Sequence, residues 1–430
     1  MTPAARLSAA IEVFADIEAR RRPAADALKD WGLTHRFAGS GDRSSIGSLV
    51  YDSLRKKASA SWIMREATPR AAVLGALALT RSFDGAALAA LCTGEGHAPS
   101  LLSADERAHI DARSLEGAPL HVRADIPEFL TPSFGASLGA MAEGEGKALA
   151  ERAPVDLRAN TLKGERDALA VKLAHLSPVP TPLSPLGLRI AITPEGRAPA
   201  LHVEPSFIKG LFEVQDEGSQ LAALLSGAKP GMQTLDLCAG GGGKALALAA
   251  MMDNQGQVFA TDTDLHRLAP IHERLQRSGA HNIQVLTPRR GIDELKGLEA
   301  RCDLVFVDAP CTGVGAWRRN PDAKWRMRPN ALDLRVREQD EVLAKAAGAV
   351  KPGGRLHYVT CSLLRAENED RVRAFLEKNP HFLPLDAARM AVDAGLPSLS
   401  GHVSTLGPGL RLSPLSTGTD GFYICAMMRT

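Results

Sequence analysis

The feature that most constrains the fold is a repeated alternation of short apolar strands with longer amphipathic segments, which begins near residue 215. Strand patterns fall at 234–237, 257–260, 283–286, 304–307 and 356–360, and helical patterns fall at 244–252, 265–279, 332–349 and 368–379. Strands that are separated by helices pair in parallel and carry helices on both faces of the sheet. The sequence therefore predicts a mostly parallel, doubly wound α/β domain, which ends with a final strand in GFYICAMMR.

The chain is too long for a single hydrophobic core, since 430 residues exceed the roughly 250–300 residues at which cores stop growing. Residues 1–125 show helical periodicity and predict an all-α domain. Residues 126–214 begin with helical patterns and continue as a strand, a helix and a second strand around a proline-rich loop at 177–187. We expect three domains, 1–125, 126–214 and 215–430, of which the second ends in a small α+β subdomain.

Composition and cysteine spacing exclude several classes of protein. Six cysteines are scattered without a CxxC pair, so neither a zinc site nor a disulfide framework is expected. The first residues lack the apolar core of a signal peptide, and no apolar run approaches the roughly 18 residues of a membrane span. We expect a cytoplasmic monomer without a metal. Because the net charge is only +2, a surface for nucleic acid must come from local clusters of cations.

A glycine run follows the strand pattern 234–237 and opens the next helix. Glycines allow a tight turn and close approach to a ligand, and the helix start offers backbone N–H groups. Asp262 follows the next strand, where a carboxylate can bind ribose hydroxyls. The pattern fits an adenosine-type cofactor and leaves NAD and S-adenosylmethionine open, whereas Ala245 excludes a P-loop. The candidate cofactor-binding residues of the loop are Cys238, Ala239, Gly240, Gly241, Gly242, Gly243 and Lys244.

Two cysteines stand where strands of the predicted sheet end. Cys311 lies in DAPC, three residues after Asp308, and Cys361 lies in YVTCS. A lone cysteine is more often a small core residue, which is how we interpret Cys92, Cys302 and Cys425. Two cysteines at one sheet edge instead indicate thiol chemistry, which an electropositive setting would favour.

Cations near the thiol loops and on an early strand are candidates for contacts with a polyanion. Phosphate contacts position a nucleic acid, and side chains that reach base edges give specificity. The candidate RNA-binding residues are Arg158 and Asn160 on the early strand and Arg318, Arg319, Lys324 and Arg326 after Cys311.

Six motifs occur together in a fixed order, and they carry a resemblance to a known family. They are QDEGSQ, DLCAGGGGK, TD, DAPCTGVGAWRRNPDAKWR, VTCS and TDGFY. The chain resembles the RNA 5-methylcytosine methyltransferases of the Sun/Nop/NSUN type over residues 154–428. The segment GDRSSIGSLVYDSLRKK is similar to the NusB-type helical RNA-binding module, as in the bacterial small-subunit ribosomal-RNA methyltransferases of the B type.

The resemblance implies a Rossmann-like domain that binds S-adenosyl-L-methionine and methylates carbon 5 of cytosine in RNA, with 16S ribosomal RNA as the expected substrate. Cys361 matches the nucleophile that attacks carbon 6, and Cys311 matches the cysteine that assists release. Asp308 would contact the cytosine edge near N3 and the cofactor. The loop from Cys238 to Lys244 would hold the cofactor's amino-acid end, and Asp262 its ribose.

Two alternatives and one departure from the family pattern remain open. The same chemistry could act on transfer RNA or another RNA, or the chain could be a non-catalytic RNA-binding scaffold. Relatives carry an acid after the third strand that contacts adenine, but this chain has Pro288, Arg289 and Arg290 there, with Asp293 further on. The adenine contact is therefore not assigned.

Overall fold

The computed structural model describes residues 1–193, 199–289, 291 and 293–430. Its helices are α1 (Pro3–Arg20), α2 (Ala24–Thr34), α3 (Ser40–Arg55), α4 (Lys57–Met64), α5 (Pro69–Thr80), α6 (Gly85–Leu91), α7 (Ala104–Ala112), α8 (Leu120–Arg123), α9 (Thr131–Leu138), α10 (Ala142–Leu149), α11 (Arg166–Lys172), α12 (Pro205–Ile208), α13 (Glu217–Leu224), α14 (Gly243–Met251), α15 (Leu265–Leu268), α16 (Ile271–Ser278), α17 (Pro321–Arg326), α18 (Ala331–Ala349), α19 (Glu369–Lys378) and α20 (Ala387–Asp393). Its strands are β1 (Val155–Ala159), β2 (Val179–Pro180), β3 (Gly187–Ile190), β4 (Phe212–Val214), β5 (Gln233–Asp236), β6 (Gln257–Ala260), β7 (Ile283–Val285), β8 (Cys302–Asp308), β9 (Val350–Thr360), β10 (Phe382–Pro384), β11 (Leu410–Leu412) and β12 (Phe422–Arg429).

Packing divides the chain into two compact units. The first contains residues 1–153 and 316–329, and the second contains 154–191, 199–315 and 330–430. The helices expected between 126 and 149 therefore pack with the first unit, and the small α+β region packs with the large α/β sheet. The functional boundaries at 125 and 214 remain predictions, because packing groups the chain differently.

The first unit is helical because its apolar residues recur at helical spacing and its helix starts are capped. The hydroxyl of Thr2 accepts from the Ala5 N–H at the start of α1, and Thr68 does the same for Ala71 at the start of α5. These bonds satisfy N–H groups that the first helical turn leaves without partners. The core includes Phe14, which is fully buried.

One segment far along the chain belongs to this helical unit. The Trp325 indole N–H, on α17, donates to the Leu54 carbonyl at 2.6 Å, and the backbone N–H of Ala24 donates to Asp322 at 3.3 Å. The basic stretch after Cys311 is therefore partly a structural element of the helical unit.

The second unit contains a small antiparallel sheet in the order β2-β3-β1-β4. β1 pairs Val155 with Ile190 on β3 and Leu157 with Val214 on β4. Apolar side chains from these strands and from α11 form a core that includes Leu157 and Phe212.

The large sheet of the second unit has eight strands, with seven in the order β10-β12-β9-β8-β5-β6-β7 and β11 paired to β12. β5 lies parallel to both β6 and β8, and β8 lies parallel to β9. β12, the final strand that the sequence predicted, runs antiparallel to β9 and also pairs with β10 and β11. Apolar clusters cover both faces, so the doubly wound α/β architecture is confirmed.

The strand order locates the candidate site. The chain leaves β5 in one direction to reach β6 and returns on the other side to form β8, so the carboxyl ends of β5 and β8 are neighbours at a topological switch point. Ligands of open α/β sheets bind at this kind of crevice. The glycine run follows β5, Asp308 ends β8, and Cys361 follows β9 directly.

The sequence predicted most long elements but missed several short ones. The single helix expected at 265–279 is two helices, because Pro270 interrupts the backbone hydrogen bonds between α15 and α16. The strands β2, β4, β10 and β11 have only two or three residues each, too few to show a period-two pattern. None of these misses moves a candidate site residue to another edge of the sheet.

Candidate active site

The glycine run forms a tight turn between β5 and α14. Gly240 and Gly242 have φ angles of 48° and 80°, a region that other residues rarely adopt. A Cβ atom added at Gly242 would lie 2.4 Å from Cγ1 of Ile271, so this position also lacks space for a side chain. The backbone therefore needs glycine here both for its conformation and for packing.

Asp262 holds the turn from the neighbouring strand end. Its Oδ2 accepts from the Gly240 N–H at 3.0 Å and its Oδ1 accepts from the Asp264 N–H at 2.9 Å. The carboxylate is 2% exposed and lies beside the glycine turn, where the sequence predicted a ribose contact.

Asp236, the last residue of β5, was not identified from the sequence. It is fully buried, and neither carboxyl oxygen has a hydrogen-bond partner. Burial, and then the neighbouring Asp308 carboxylate, raises the pKa of Asp236 from 3.8 to about 7. Buried acids without partners are costly, so this carboxyl suits a site that receives a cation.

Lys244 and Asp308 form an ion pair beneath the sheet edge. The Lys244 ammonium donates to Oδ2 of Asp308 at 2.6 Å, and it lies 5.7 Å from the ring centroid of Phe422. Burial opposes the charged form of Lys244, but Asp308 outweighs it and the pKa of Lys244 is raised. The lysine therefore stays charged at neutral pH.

A cavity of about 200 Å³ lies beside this ion pair, and its lining includes Gln215, Ser219, Cys238, Lys244 and Asp308. Burial raises the pKa of the Cys238 thiol, so this cysteine stays protonated. The cavity thus combines polar groups from the small sheet, the glycine loop and the end of β8.

These residues fit an adenosyl cofactor with a cationic amino-acid end. The glycine turn leaves no side chain in the way, Asp262 can accept from ribose hydroxyls, and the unpartnered carboxyl of Asp236 can face a positive charge. The residue that would contact adenine remains unassigned. Of the residues at that position, Arg290 lies outside the described residues.

The two cysteines meet at the ends of β8 and β9. The Sγ atoms of Cys311 and Cys361 are 3.3 Å apart, and both side chains are half-buried. The Ala309 N–H donates to the Val359 carbonyl at 2.8 Å, and the Gly315 N–H donates to the Cys361 carbonyl at 3.0 Å. The sequence predicted that both thiols share one sheet edge, and the fold brings them into contact.

The environments of the two sulfurs differ. The hydrogen bond to Cys361, then burial, and then the carboxylates of Glu367 and Asp308 raise the pKa of the Cys311 thiol well above its ordinary value. These effects favour the neutral form of Cys311, whose sulfur lies within hydrogen-bond distance of the sulfur of Cys361. This arrangement suits Cys361 for nucleophilic attack.

A buried carboxylate behind the thiols was also missed. Glu367 is fully buried and accepts hydrogen bonds from the residues that follow each cysteine, Thr312 and Ser362. The sequence offers no periodic signal for it, since LLRAENED is a short polar turn between a strand and a helix.

Three of the residues expected to contact RNA are internal hydrogen-bond donors. Arg158 is 4% exposed and donates to Gln215 and, at 2.8 Å, to the Gly243 carbonyl. Asn160 donates to the carbonyls of Gly210 and Ser278. Both side chains hold β1 to neighbouring loops of the second unit, so we no longer assign them to the RNA surface.

Lys324 requires the same correction within the helical unit. It is 1% exposed and its ammonium donates to the carbonyls of Arg55 and Asp125 at 3.0 and 2.7 Å. Burial lowers its pKa to about 7. Arg318 is 5% exposed, Arg319 is half-buried and Arg326 forms an ion pair with Asp322 at 3.0 Å, and their contacts with RNA remain predictions.

The remaining cysteines occupy apolar cores. Cys92, Cys302 and Cys425 are fully buried, and burial raises the pKa of Cys302 to about 11 and that of Cys425 to about 12. All six cysteines are free. Within the described ranges, no group of three or more ligand-type side chains could hold a metal ion, and no helix has the length and hydropathy needed to cross a membrane.

Comparisons with known proteins identify similar sequences and structures. Residues 223–428 match the family model of the 16S rRNA methyltransferases RsmB/F. A probable ribosomal RNA small subunit methyltransferase B of Synechocystis is 35% identical over 225 residues, which cover 52% of this chain and 50% of that protein. The ribosomal RNA small subunit methyltransferase B of Sodalis glossinidius is 32% identical over 288 residues, with 65% and 60% covered. The chain thus spans about half to three fifths of the length of these curated relatives.

Solved structures show the same fold. The crystal structure of PH0851 superposes with a TM-score of 0.74 at 25% identity and covers 99% of both chains. NSun6 from Pyrococcus horikoshii, crystallised with SFG, has a TM-score of 0.61 at 21% identity and covers 70% of this chain and 98% of that one. The Rossmann-like fold is as the sequence predicted. Residues 223–428, just under half of this chain, are thus similar to the methyltransferase domain of the RsmB/F family.

Proposed function

We propose that the protein methylates carbon 5 of a cytosine in the RNA of the small ribosomal subunit, with S-adenosyl-L-methionine as methyl donor. The observation that supports this most is the pair of sulfur atoms 3.3 Å apart at the ends of β8 and β9, beside the Lys244–Asp308 ion pair. Two thiols and a carboxylate at the switch point of a methyltransferase sheet suit covalent activation of a pyrimidine.

Carbon 5 of cytosine is a weak nucleophile, so the ring must first be activated. The Cys361 sulfur forms a bond to carbon 6, and the electron pair of the 5,6 double bond moves into the ring and makes carbon 5 nucleophilic. When bound, the cofactor supplies the methyl group that carbon 5 accepts. Carbon 5 then loses its proton and the bond between sulfur and carbon 6 breaks, which restores the aromatic ring and the free cysteine.

Asp308 and Cys311 assist at opposite ends of this sequence. Asp308 lies at the strand end beside the thiols, where its carboxylate can hydrogen-bond the cytosine edge near N3. The Sγ atom of Cys311 lies 3.3 Å from that of Cys361, so the Cys311 thiol can give its proton to the Cys361 sulfur when the bond to carbon 6 breaks. The target base must leave its stack to enter such a site.

RNA binding would rest mainly on phosphate contacts, which carry no sequence information. Arg318, Arg319 and Arg326 in the helical unit remain the candidate contacts from the predicted set. The resemblance of GDRSSIGSLVYDSLRKK to the NusB-type module and the similarity to ribosomal-RNA methyltransferases support a ribosomal substrate. We further propose a cytoplasmic location, where ribosomal RNA is available, and a monomer as the acting species.

Labelled methyl transfer to small-subunit RNA tests the proposal. The wild-type protein should transfer label to cytosine C5, and Cys361→Ala should abolish transfer while it still binds the cofactor. Cys311→Ala should accumulate a covalent protein–RNA adduct that migrates slowly on a denaturing gel. Normal transfer by Cys361→Ala would refute the nucleophile, and RNA retention without cofactor binding would favour a scaffold. Bisulfite sequencing of RNA from a deletion strain would then identify the modified cytosine.

A further inference from the structure

Glu367 connects the two thiol loops through four hydrogen bonds. Its carboxylate accepts from the backbone N–H of Thr312 at 2.7 Å, from the Thr312 hydroxyl at 2.5 Å, from the Ser362 hydroxyl, and from the Gln339 side-chain amide at 3.2 Å. A carboxylate offers about four acceptor sites. All of them are therefore used by donors within the protein, and the side chain is fully buried.

The donors belong to the loops that carry the cysteines. Thr312 directly follows Cys311, and Ser362 directly follows Cys361. The same Gln339 amide also donates to the Pro310 carbonyl at 2.9 Å, which precedes Cys311. One carboxylate thus restrains the chain next to both sulfur atoms.

The turn that carries Glu367 is itself rigid. Its carbonyl accepts from the Tyr358 hydroxyl at 2.7 Å, and the next residue, Asn368, donates to the Ser362 carbonyl at 2.9 Å. The Thr360 hydroxyl donates to Asn368 at 2.5 Å. Since every anchor lies on β9 or the loop after it, the carboxylate is held at a fixed position relative to Cys361.

The charge of Glu367 also distinguishes the two thiols. Its carboxylate contributes to the raised pKa of Cys311, after the hydrogen bond to Cys361 and burial. The charged and titratable groups that interact with Cys311 are Cys361, Glu367, Asp308 and Tyr358, and Lys244 interacts with Cys361 and Asp308. Glu367 is therefore one of two carboxylates that favour the neutral thiol at Cys311.

We propose that Glu367 is a positioning residue that holds the sulfur atoms of Cys311 and Cys361 in contact. Its hydrogen bonds set the distance between the thiol loops, and its negative charge opposes a second negative charge at Cys311. The catalytic consequence of this role rests on the proposed methyl transfer. In that reaction, Glu367 would affect release of the RNA adduct more than its formation.

Phenylarsine oxide tests the geometry without any methyl transfer. One arsenical takes the protons of two adjacent thiols, loses water and forms two arsenic–sulfur bonds, so it reports whether the sulfur atoms are in contact. Wild-type protein should bind it, and Cys311→Ala should not. Glu367→Ala should bind at least about tenfold more weakly, since it loses several buried hydrogen bonds to a charged group. Glu367→Gln keeps the shape and should stay within about threefold of wild type.

Two further variants separate positioning from a general loss of stability. Glu369 is also fully buried, but it bonds to Arg411 and Ser404 and makes none of the contacts with the thiol loops. Glu369→Gln should therefore bind the arsenical like wild type. If Glu367→Ala does not fold, Ser362→Ala removes only one of the four hydrogen bonds to Glu367 and should still weaken binding measurably. Wild-type binding by Glu367→Ala, or by Ser362→Ala in its place, would overturn the positioning role.

The pH dependence of alkylation tests the charge. In a Cys361→Ala background, Cys311 is alkylated by iodoacetamide only as its thiolate. Glu367→Gln in that background should move the midpoint of the rate–pH profile down by about one unit, because a neighbouring negative charge is removed. An unchanged midpoint would overturn the assignment of protonation states.

The formation and release of covalent RNA adducts test whether Glu367 also affects catalysis. With both cysteines present, Glu367→Ala should accumulate the covalent adduct seen for Cys311→Ala, with formation slowed less than release. A failure of wild-type methyl transfer would refute the proposed function and leave the arsenical and alkylation results standing. Equal slowing of both steps would overturn the catalytic part of the inference.

Discussion

The buried carboxyl of Asp236 predicts a specific dependence of stability on pH. The side chain has no hydrogen-bond partner for either oxygen and its pKa is raised from 3.8 to about 7. An acid with a raised folded-state pKa contributes stability below its unfolded pKa, and this contribution is lost as pH rises through the folded value. Asp236 should therefore destabilise the protein at neutral and alkaline pH.

The magnitude follows from the two pKa values. A difference of about three units corresponds to about 4 kcal/mol over the full titration, at 1.36 kcal/mol per unit. About 2.5 kcal/mol of this falls between pH 5 and pH 8. Asp236→Asn keeps the shape of the side chain and removes the charge. The substitution should therefore be stabilising at pH 8 relative to pH 5 by about that amount.

Urea unfolding of the wild type and Asp236→Asn at both pH values measures the effect. At each pH, the unfolding free energy of the wild type is subtracted from that of the variant. Subtracting the value at pH 5 from the value at pH 8 then cancels the contributions of groups that titrate alike in both proteins. Asp303→Asn is a matched control. Burial by itself would raise the pKa of Asp303, but the ion pair with Lys351 and the hydrogen bonds to the carboxylate outweigh burial and lower the pKa. The control should show no gain in stability at pH 8.

Cofactor binding should change in the opposite direction. If the carboxyl faces the cationic end of the cofactor, Asp236→Asn should weaken S-adenosylmethionine binding by at least about tenfold, measured by calorimetry at pH 8. A variant that is equally destabilised at pH 5 and pH 8 and that binds cofactor normally would refute the reasoning on both counts.

Three further predictions concern the glycine loop and the buried basic residues. Gly242→Ala should lower the unfolding free energy by about 2–4 kcal/mol, because φ is positive there and the new Cβ atom would contact Ile271. Gly313 has a φ of 71° but open space around it, so Gly313→Ala should cost only about 1–2 kcal/mol. Arg158→Met should weaken cofactor binding about tenfold or more in a calorimetric titration, with helix content unchanged, because the loop carbonyl loses its charged donor; unchanged affinity would contradict this. The pKa of Lys324 is lowered to about 7, so the unfolded chain binds the proton more tightly and stability should rise by about 3 kcal/mol from pH 7 to 9.5. Lys324→Met should abolish that rise in urea melts, and a persistent rise would assign it to another group.

Local signals in the sequence identified the elements and most of the chemistry. Alternating apolar segments indicated the parallel sheet, and the glycine run indicated the turn into α14, because backbone conformation at Gly240 and Gly242 depends on the residues themselves. The positions of Cys311 and Cys361 after strands were enough to place both at one edge, since parallel strands share the direction of their carboxyl ends.

Surface assignments failed where long-range packing decided them. Lys324 and Arg158 look like phosphate-binding cations in the sequence, but their partners, the Asp125 and Gly243 carbonyls, lie 199 and 85 residues away along the chain. A charged side chain is buried only where tertiary structure supplies such acceptors. Its neighbours in sequence give no sign of them.

The sequence by itself determined the fold class, the glycine turn and the two cysteines, because strand and helix periodicity and glycine conformation are local properties. Only the tertiary structure decided that the sulfur atoms are 3.3 Å apart, that Asp236 has no partner and that Glu367 joins both thiol loops. These features depend on strand order and on hydrogen bonds between distant residues. The order of strands in a sheet follows from how the whole chain packs, and no single segment contains it.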